Sequence, residues 1–218
     1  MAHVANYSSP LWTAVDLVRH FGAIPLERVV NDPPAGAATV EDVVRMDEQH
    51  SRLCELIDGT LVEKTIGAFE SYVALQIATL LNEFLRAKSP VIALGADGMI
   101  RLFPDQVRIP DACFISSQRL EGSGFPDTPM LQLAPDLAVE VVSRGNTDEE
   151  MGRKLREYFE AGVRLVWYVY PDRRMVRVYT AADTSRELSA PAILEGEHVL
   201  PGLEIPIAKL FEIPGGKK

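Results

Sequence analysis

"APDLAVEVVSRGNTDEEMGRKLREYFEAG", residues 134–162, joins a strongly apolar segment to an amphipathic one. The first segment, residues 137–142, is rich in Leu, Ala and Val, which is typical of a strand buried on both faces. Glu140 lies at its centre, and a buried carboxylate is costly unless a cation, hydrogen bonds or a raised pKa compensates for it. The stretch therefore predicts a buried strand and a specific partner for Glu140.

The second segment predicts a helix over residues 147–161, with Thr147 as its N-cap and Glu150 at the capping-box position. At about 100° per residue, the buried stripe of this helix comprises Met151, Leu155, Tyr158 and Phe159. The solvent side comprises Arg153, Arg156, Glu157 and Glu160. Lys154 flanks the buried stripe and leans towards the sheet, and so towards Glu140. A lysine–glutamate pair of this kind is either catalytic or a structural salt bridge, and both alternatives remain open.

A second carboxylate lies upstream in "VRIPDACFIS", where Asp111 shares a strand face with Cys113 and Ile115. Carboxylates on adjacent strands form a hard oxygen site, which Mg²⁺ or Mn²⁺ occupies with a backbone carbonyl, here that of Val141, and with water and phosphate oxygens. Without a metal the two carboxylates are expected to repel each other and to raise the pKa of at least one. Asp111→Asn is then expected to stabilise the metal-free protein.

Before this region the sequence predicts an amphipathic helix within residues 8–22, whose inward side chains are Leu11, Val15, Leu17 and Val18. A linker at 31–39 leads to a helix capped by Thr39 and Asp42. The Asp58-Gly59 pair predicts a hairpin within residues 52–64. The remaining predicted elements are a helix at 68–87, strands at 91–95, 99–102, 111–115, 164–170 and 174–180, and short edge strands in the tail.

This order of elements predicts an α/β fold with a mixed sheet and helices on its faces. A doubly wound nucleotide-binding fold is disfavoured because no glycine-rich phosphate loop follows a strand. We expect an N-terminal extension over residues 1–38 and a single domain over residues 39–218.

Composition restricts the partners. The net charge is −9, and residues 1–143 carry 10 basic and 19 acidic side chains, whereas residues 144–177 carry 8 basic and 6 acidic ones. A polyanion is therefore expected to approach over residues 144–177 or through a bound metal. No apolar run is long enough to cross a membrane and no signal peptide is visible, so a cytoplasmic location without membrane contact is expected. The two cysteines and four histidines show no metal-ligand spacing.

Four pieces of the chain carry a resemblance to a known family: "CELIDGTLVEK", "RIPDACFIS", "APDLAVEVVSRGNTDEEMGRKLREYFEAGVRLVWYVYPDRRMVRVY" and the Gly202-Leu203 turn. In order and spacing they resemble the Uma-type restriction endonuclease family, a branch of the PD-(D/E)XK nuclease superfamily. The resemblance implies a restriction-endonuclease-like mixed sheet flanked by helices. It also implies that Asp111 and Glu140 are metal ligands, that Lys154 is the catalytic lysine and that the protein is a homodimer.

Two positions depart from the family pattern. The usual E-X-K motif would place a lysine where this chain has Val142, so the lysine resembles one that has moved to the following helix. Ser71 stands where many relatives carry a histidine. Glu55 matches a further acidic residue of the family, either as a member of the metal site or as part of a buried ion pair.

The leading functional prediction is a Mg²⁺- or Mn²⁺-dependent endonuclease that acts on DNA, with Asp111, Glu140, Lys154 and Glu55 at its site. One alternative is a catalytically silent binding or regulatory protein that keeps the nuclease fold. The other is a hydrolase that acts on RNA or on a small phosphate substrate. The acidic surface disfavours DNA, whereas the intact set of site residues favours an enzyme.

Overall fold

The computed structural model describes residues 12–65, 67–86, 92–120 and 127–213. The helices in these ranges are α1 (Ala14–Phe21), α2 (Val40–His50), α3 (Ala68–Leu85), α4 (Asp148–Glu160) and α5 (Ile207–Leu210). The first strands are β1 (Val29–Val30), β2 (Cys54–Ile57), β3 (Thr60–Glu63), β4 (Ile92–Leu94), β5 (Ile100–Phe103), β6 (Gln106–Arg108) and β7 (Ala112–Ile115). The remaining strands are β8 (Leu137–Val141), β9 (Leu165–Tyr170), β10 (Met175–Ala181), β11 (Thr184–Ser189), β12 (Ile193–Gly196) and β13 (Leu200–Pro206).

A six-stranded sheet forms the centre of the fold, in the order β11-β10-β9-β8-β7-β4. Strands β8 and β9 run parallel and are joined through α4, whereas the other neighbours are antiparallel. The side chains of β8 alternate between two helices. Leu137, Val139 and Val141 pack in the cluster that contains α3, and Ala138 packs with α4. The predicted mixed sheet with helices on both faces is therefore confirmed.

A second sheet contains five antiparallel strands in the order β1-β3-β2-β6-β5. Helix α2 covers it through Val43 and Met46, which pack with buried side chains of β2 and β3. The β12–β13 hairpin and α5 complete the core on the α3 side of the central sheet. Burial of both faces explains why β8 and β9 are composed almost entirely of apolar and aromatic residues.

Local sequence explains several boundaries. Thr39 and Asp42 form the predicted capping box at the start of α2. Asp58 and Gly59 adopt positive φ angles of 47° and 70°, which a tight hairpin between β2 and β3 requires. Thr147 accepts a hydrogen bond from the Glu150 amide at 3.1 Å and so caps α4.

Sequence reasoning missed the short strands β1 and β6 and was wrong about part of the buried face of α1. Strand β6 was not predicted, because it is only three residues long and lies in a polar, proline-containing segment. In α1 the buried side chains are Leu17 and Phe21, whereas Val15 and Val18 are exposed. Leu11, the remaining residue of that predicted face, lies outside the described residues.

Residues 12–30 pack against the hairpin and α4. Leu17, Phe21 and Val29 form a buried cluster with Ile57 and Val62 of the hairpin. Arg28 is 6% exposed and binds both carboxylate oxygens of Glu150, at 2.7 and 3.0 Å. The predicted boundary after residue 38 remains a prediction, and the described part of the extension is packed onto the domain.

Arg28→Met is expected to lower the free energy of unfolding by about 3 kcal/mol or more, because it leaves the Glu150 carboxylate buried without its cation. Urea denaturation in the presence of a chelator measures this loss. Arg144→Met is the matched control, since the Arg144–Asp172 pair has side chains that are 89% and 63% exposed, and it should cost less than about 1 kcal/mol. Equal losses in the two variants would contradict a structural role for the buried pair.

Candidate functional site

Lys154 lies between two carboxylates of different sheets. Its Nζ is 3.1 Å from Oε2 of Glu140 on β8 and 2.9 Å from Oε1 of Glu55 on β2. All three side chains are almost completely buried. The predicted approach of Lys154 to Glu140 is therefore confirmed, and Glu55 joins the same group.

Glu140 has a second partner on α4. The Tyr158 hydroxyl donates a hydrogen bond to Oε1 of Glu140 at 2.5 Å. Tyr158 belongs to the predicted buried stripe, and Lys154 precedes it by one helical turn. Helix α4 thus presents an ammonium and a phenol to the two oxygens of one carboxylate.

Asp111 lies directly before β7 and beside Glu140. Ala112 pairs with Val139 and Cys113 pairs with Ala138, so the strand register brings Asp111 next to Glu140. The Val141 amide donates to Oδ2 of Asp111 at 2.6 Å. Because the amide and carbonyl of one residue in a strand point to the same side, the Val141 carbonyl lies on the Asp111 side of β8.

The other oxygen of Asp111 binds a residue that the sequence did not single out. Nζ of Lys64, which follows β3, is 2.9 Å from Oδ1 of Asp111. Asp111→Asn is therefore no longer expected to stabilise the metal-free protein, because the substitution would break a buried ion pair as well as relieve repulsion.

Arg108 holds Glu55 from the side opposite Lys154. This fully buried guanidinium is 2.7 Å from Oε2 of Glu55 and also binds Glu157. The Ile109 amide donates to Oε1 of Glu55 at 3.0 Å. This geometry favours the ion-pair alternative for Glu55 over a metal-ligand role.

Their surroundings shift the pKa values of Glu140 and Glu55, the two carboxylates that share Lys154, in opposite directions. Burial raises the pKa of Glu140 to about 7, since the Lys154 charge only partly offsets burial and the charges of Asp111 and Glu55 add to it. Burial would also raise the pKa of Glu55, but the charges of Lys154 and Arg108 outweigh it and hold that pKa well below its usual range. Burial alone would lower the pKa of Lys154, but the charges of Glu140 and Glu55 outweigh burial and raise it. Of the two glutamates, Glu140 is therefore the one that is more readily protonated.

Two side chains that were predicted to face solvent contact other parts of the protein instead. Glu157 binds buried Arg108, and Arg153 donates to the His20 carbonyl and lies 5.1 Å from the centroid of the Phe21 ring. Both corrections have one cause, which is that segments distant in the sequence cover the outer side of α4.

The described residues include no group of three or more His, Cys, Asp or Glu side chains arranged to hold a metal ion. The predicted metal site needs only two carboxylates and a backbone carbonyl, because Mg²⁺ keeps several water ligands. Asp111, Glu140 and Val141 offer that set of oxygen donors. Their proposed roles, and those of Lys154 and Glu55, remain predictions.

Sequence reasoning missed Lys64 and Arg108. Arg108 interrupts the apolar residues of "VRIP", which is the same signal that identified Glu140. Lys64 lies in the polar stretch "EKT", residues 63–65, which carries no such signal. Tyr158 was predicted to be buried, and its hydroxyl then required a partner. The packing of α4 against β8 makes Glu140 that partner.

Comparisons with known proteins agree with this architecture. Residues 40–208 match the Uma2 family, described as "Putative restriction endonuclease". The structure is similar to that of a putative nuclease belonging to DUF820 from Anabaena variabilis ATCC 29413, with a TM-score of 0.68 and 18% identity, covering 79% of this chain and 97% of that one. At this identity the likeness concerns the fold alone, and it supports the expected restriction-endonuclease-like core. No curated protein matches the chain.

The raised pKa of Glu140 predicts a pH-dependent stability. Since the folded pKa of about 7 lies above the ordinary value of 4.5, this group stabilises the fold fully at low pH, and its contribution is lost as pH rises through 7. In chelator, wild type should lose about 3 kcal/mol from this group between pH 4.5 and 7.5. Glu140→Gln should lack that loss.

Urea denaturation at several pH values measures the difference between the two proteins. The control is Glu187→Gln, an exposed partner of Arg177, which should keep the wild-type pH dependence. Parallel curves for wild type and Glu140→Gln would show that the carboxylate of Glu140 is already ionised throughout this range.

Proposed function

The chain belongs to the Uma2 family of putative restriction endonucleases, and from this premise we propose that it is a metal-dependent endonuclease that hydrolyses phosphodiester bonds in DNA. The observation that carries the proposal is the placement of Asp111 beside Glu140, with the Lys154 ammonium 3.1 Å from the Glu140 carboxylate. Two carboxylates and a lysine of this kind suit phosphodiester hydrolysis.

Asp111, Glu140 and the Val141 carbonyl would hold Mg²⁺ or Mn²⁺. When bound, the metal supplies electrostatic stabilisation of phosphate oxygens and lowers the pKa of a bound water. Hard oxygen donors of this type match either cation. Burial raises the pKa of Glu140 to about 7, and a cation bound beside it would lower that pKa and favour the ionised form.

Lys154 would act as the catalytic lysine. Its ammonium is fixed by Glu55 and Glu140, and Arg108 fixes Glu55 in turn. A preorganised positive charge in a dry site offsets negative charge that develops on a phosphate, or it orients the attacking water. In this scheme Glu55 and Arg108 position Lys154 and do not touch the substrate.

Nucleic acid would approach over an arginine surface formed by Arg144, Arg173 and Arg174. All three side chains are exposed, and Arg144 lies 3.3 Å from Asp172, which joins the loop after β8 to the turn before β10. This surface begins four residues after Glu140. Cutting both strands of a duplex with one site per chain calls for two chains, so the proposal includes a homodimer, which sedimentation tests.

A catalytically silent binding protein is the second candidate. One observation favours it: each carboxylate oxygen of Asp111 and Glu140 already has a donor from the protein. A closed ion network of this kind needs no metal. The two candidates differ in their response to divalent cations.

Calorimetric titration with Mg²⁺ and Mn²⁺ followed by cleavage assays on duplex DNA, single-stranded DNA, RNA and a small phosphodiester tests the proposal. We expect metal binding and metal-dependent cleavage of DNA. Metal binding with cleavage of RNA or of the small substrate alone would contradict the DNA assignment. Absence of both metal binding and cleavage would favour the silent protein.

Lys154→Met is expected to abolish cleavage while metal binding survives, because the substitution removes a positive charge and leaves both predicted metal ligands in place. The variant should also lose about 3 kcal/mol of stability, since buried Glu140 loses its cation and Glu55 keeps only Arg108. Cleavage is therefore compared at a temperature at which thermal melting shows the variant to be folded. The control is Lys209→Met, an exposed lysine of α5, and cleavage by Lys154→Met at the wild-type rate would refute the catalytic role.

Combined replacement of Arg144, Arg173 and Arg174 by Met is expected to weaken DNA binding and to reduce the slope of log K against log salt by about 3, roughly one for each lost phosphate contact. Binding is measured in chelator so that the DNA stays intact. Arg186→Met, on edge strand β11, should leave the slope unchanged, as should Arg153→Met, because Arg153 is already engaged by α1. An unchanged slope in the triple variant would exclude this surface.

A further inference from the structure

Lys64 ends the β2–β3 hairpin, and its ammonium is almost completely enclosed. Its side chain is 7% exposed. Nζ lies 2.9 Å from Oδ1 of Asp111, 2.8 Å from the Ile109 carbonyl oxygen and 3.0 Å from the Ala96 carbonyl oxygen. An ammonium has three donors and no acceptor, and here it donates to two carbonyls and forms an ion pair with one carboxylate.

The oxygens around Lys64 are of the kind that bind a hard divalent cation. A carboxylate and two backbone carbonyls are common ligands of such ions. Lys64 is close enough to Glu140 for its charge to lower the pKa of that residue. Lys64 therefore places a positive charge beside both proposed metal ligands, Asp111 and Glu140.

A divalent metal that binds Asp111 and Glu140 would bring its charge next to the Lys64 ammonium, which is 2.9 Å from Oδ1 of Asp111, and repulsion between the two cations favours loss of one protein donor. The donors to Glu140 are fixed, because Tyr158 is fully buried and Lys154 is also held by Glu55. The donor to Oδ2 of Asp111 is the backbone amide of Val141 within β8. Lys64 alone of the described donors to these two carboxylates combines a flexible stem with a position outside the regular elements.

We propose that Lys64 is the counterion of Asp111 in the metal-free protein. Its ammonium occupies the position at which a divalent metal would bind Asp111, and it leaves that position when the metal binds. This inference rests on the metal-dependent function proposed above and adds the group that the metal must displace. The backbone of Lys64 need not move, since its amide donates to the Leu53 carbonyl as a continuation of the hairpin. Displacement would require the side chain to leave the Asp111 carboxylate and the two carbonyls and to rotate away from them.

The exchange has a thermodynamic consequence that differs from that of a supporting residue. Removing the Lys64 charge leaves Asp111 buried without its cation in the metal-free protein, so that state is destabilised. The metal-bound state has already lost the Lys64–Asp111 contact and is little affected. Metal affinity should therefore rise, and the stabilisation that a given metal concentration confers should rise with it.

Lys64→Met tests this expectation by calorimetric titration with Mn²⁺. We expect binding at least about tenfold tighter than in wild type, a ratio that corresponds to about 1.4 kcal/mol. The melting temperature in chelator should be lower than that of wild type, and the rise on adding Mn²⁺ should be larger. Lys209→Met, which removes an exposed lysine, should match wild type in all three measurements.

A second variant guards against loss of folding in Lys64→Met. Lys64→Gln keeps hydrogen-bond donors for the carbonyls and removes only the charge, so it should also bind Mn²⁺ more tightly than wild type. Equal or weaker affinity in the folded variants would overturn the inference, because it would show that Lys64 remains with the metal or does not compete with it.

Amine acylation of the wild-type protein, read by mass spectrometry, tests the displacement directly. Labelling of Lys64 should be low in chelator and should increase in excess Mn²⁺ relative to labelling of Lys209. Unchanged labelling while calorimetry shows saturation would overturn the inference and leave the proposed function standing. Absence of Mn²⁺ binding in wild type and in both Lys64 variants would overturn the proposed metal dependence as well.

Discussion

The ammonium of Lys154 holds together the two sheets and the helix that make the site. It contacts Glu55 on the five-stranded sheet and Glu140 on the six-stranded sheet, and α4 supplies it. Apolar side chains of equal volume would hold these elements at least as firmly, because desolvation consumes much of the attraction in a buried ion pair. Stability alone therefore does not explain why charges are kept at this junction, whereas the catalytic role proposed for Lys154 would explain it.

The charges around Lys154 do not balance. Two neighbouring groups of ion pairs together contain four carboxylates and only three basic side chains: Lys64 with Asp111, and Arg108 and Lys154 with Glu55, Glu140 and Glu157. When all are ionised, one negative charge is left over. It falls on Glu140, because this residue shares its only ammonium with Glu55 and otherwise accepts from a neutral phenol. Burial is the largest cause of the raised pKa of Glu140, and the uneven sharing of cations explains why the equally buried Glu55 has a lowered pKa instead.

Periodicity predicted the parts of the site that depend on a single element. Glu140 within an apolar strand and Lys154 beside an apolar helical stripe could be identified because each position follows from its own local repeat. The partners that complete the site come from far along the chain, since Lys64 meets Asp111 and Arg108 meets both Glu55 and Glu157. No local pattern encodes such meetings.

The errors have the same origin. The side of α1 that is buried depends on the hairpin against which it packs, and Arg153 was assigned to solvent because the position of α1 over α4 was unknown. A helical repeat identifies an apolar face, and tertiary contacts decide what covers the other side.

The residues of the candidate site and the residue that anchors the backbone around it come from different parts of the chain. Glu55, Asp111, Glu140 and Lys154 lie within residues 40–208, which match the family, whereas Arg28 lies before them. Arg28 donates to the carbonyls of Glu63 and Gly145 as well as to Glu150, so it ties the end of β3 to the loop after β8 and to α4. The backbone on either side of the site is thereby fixed, and the motion left to Lys64 is that of its side chain. A segment outside the family match thus anchors the backbone on both sides of the candidate site.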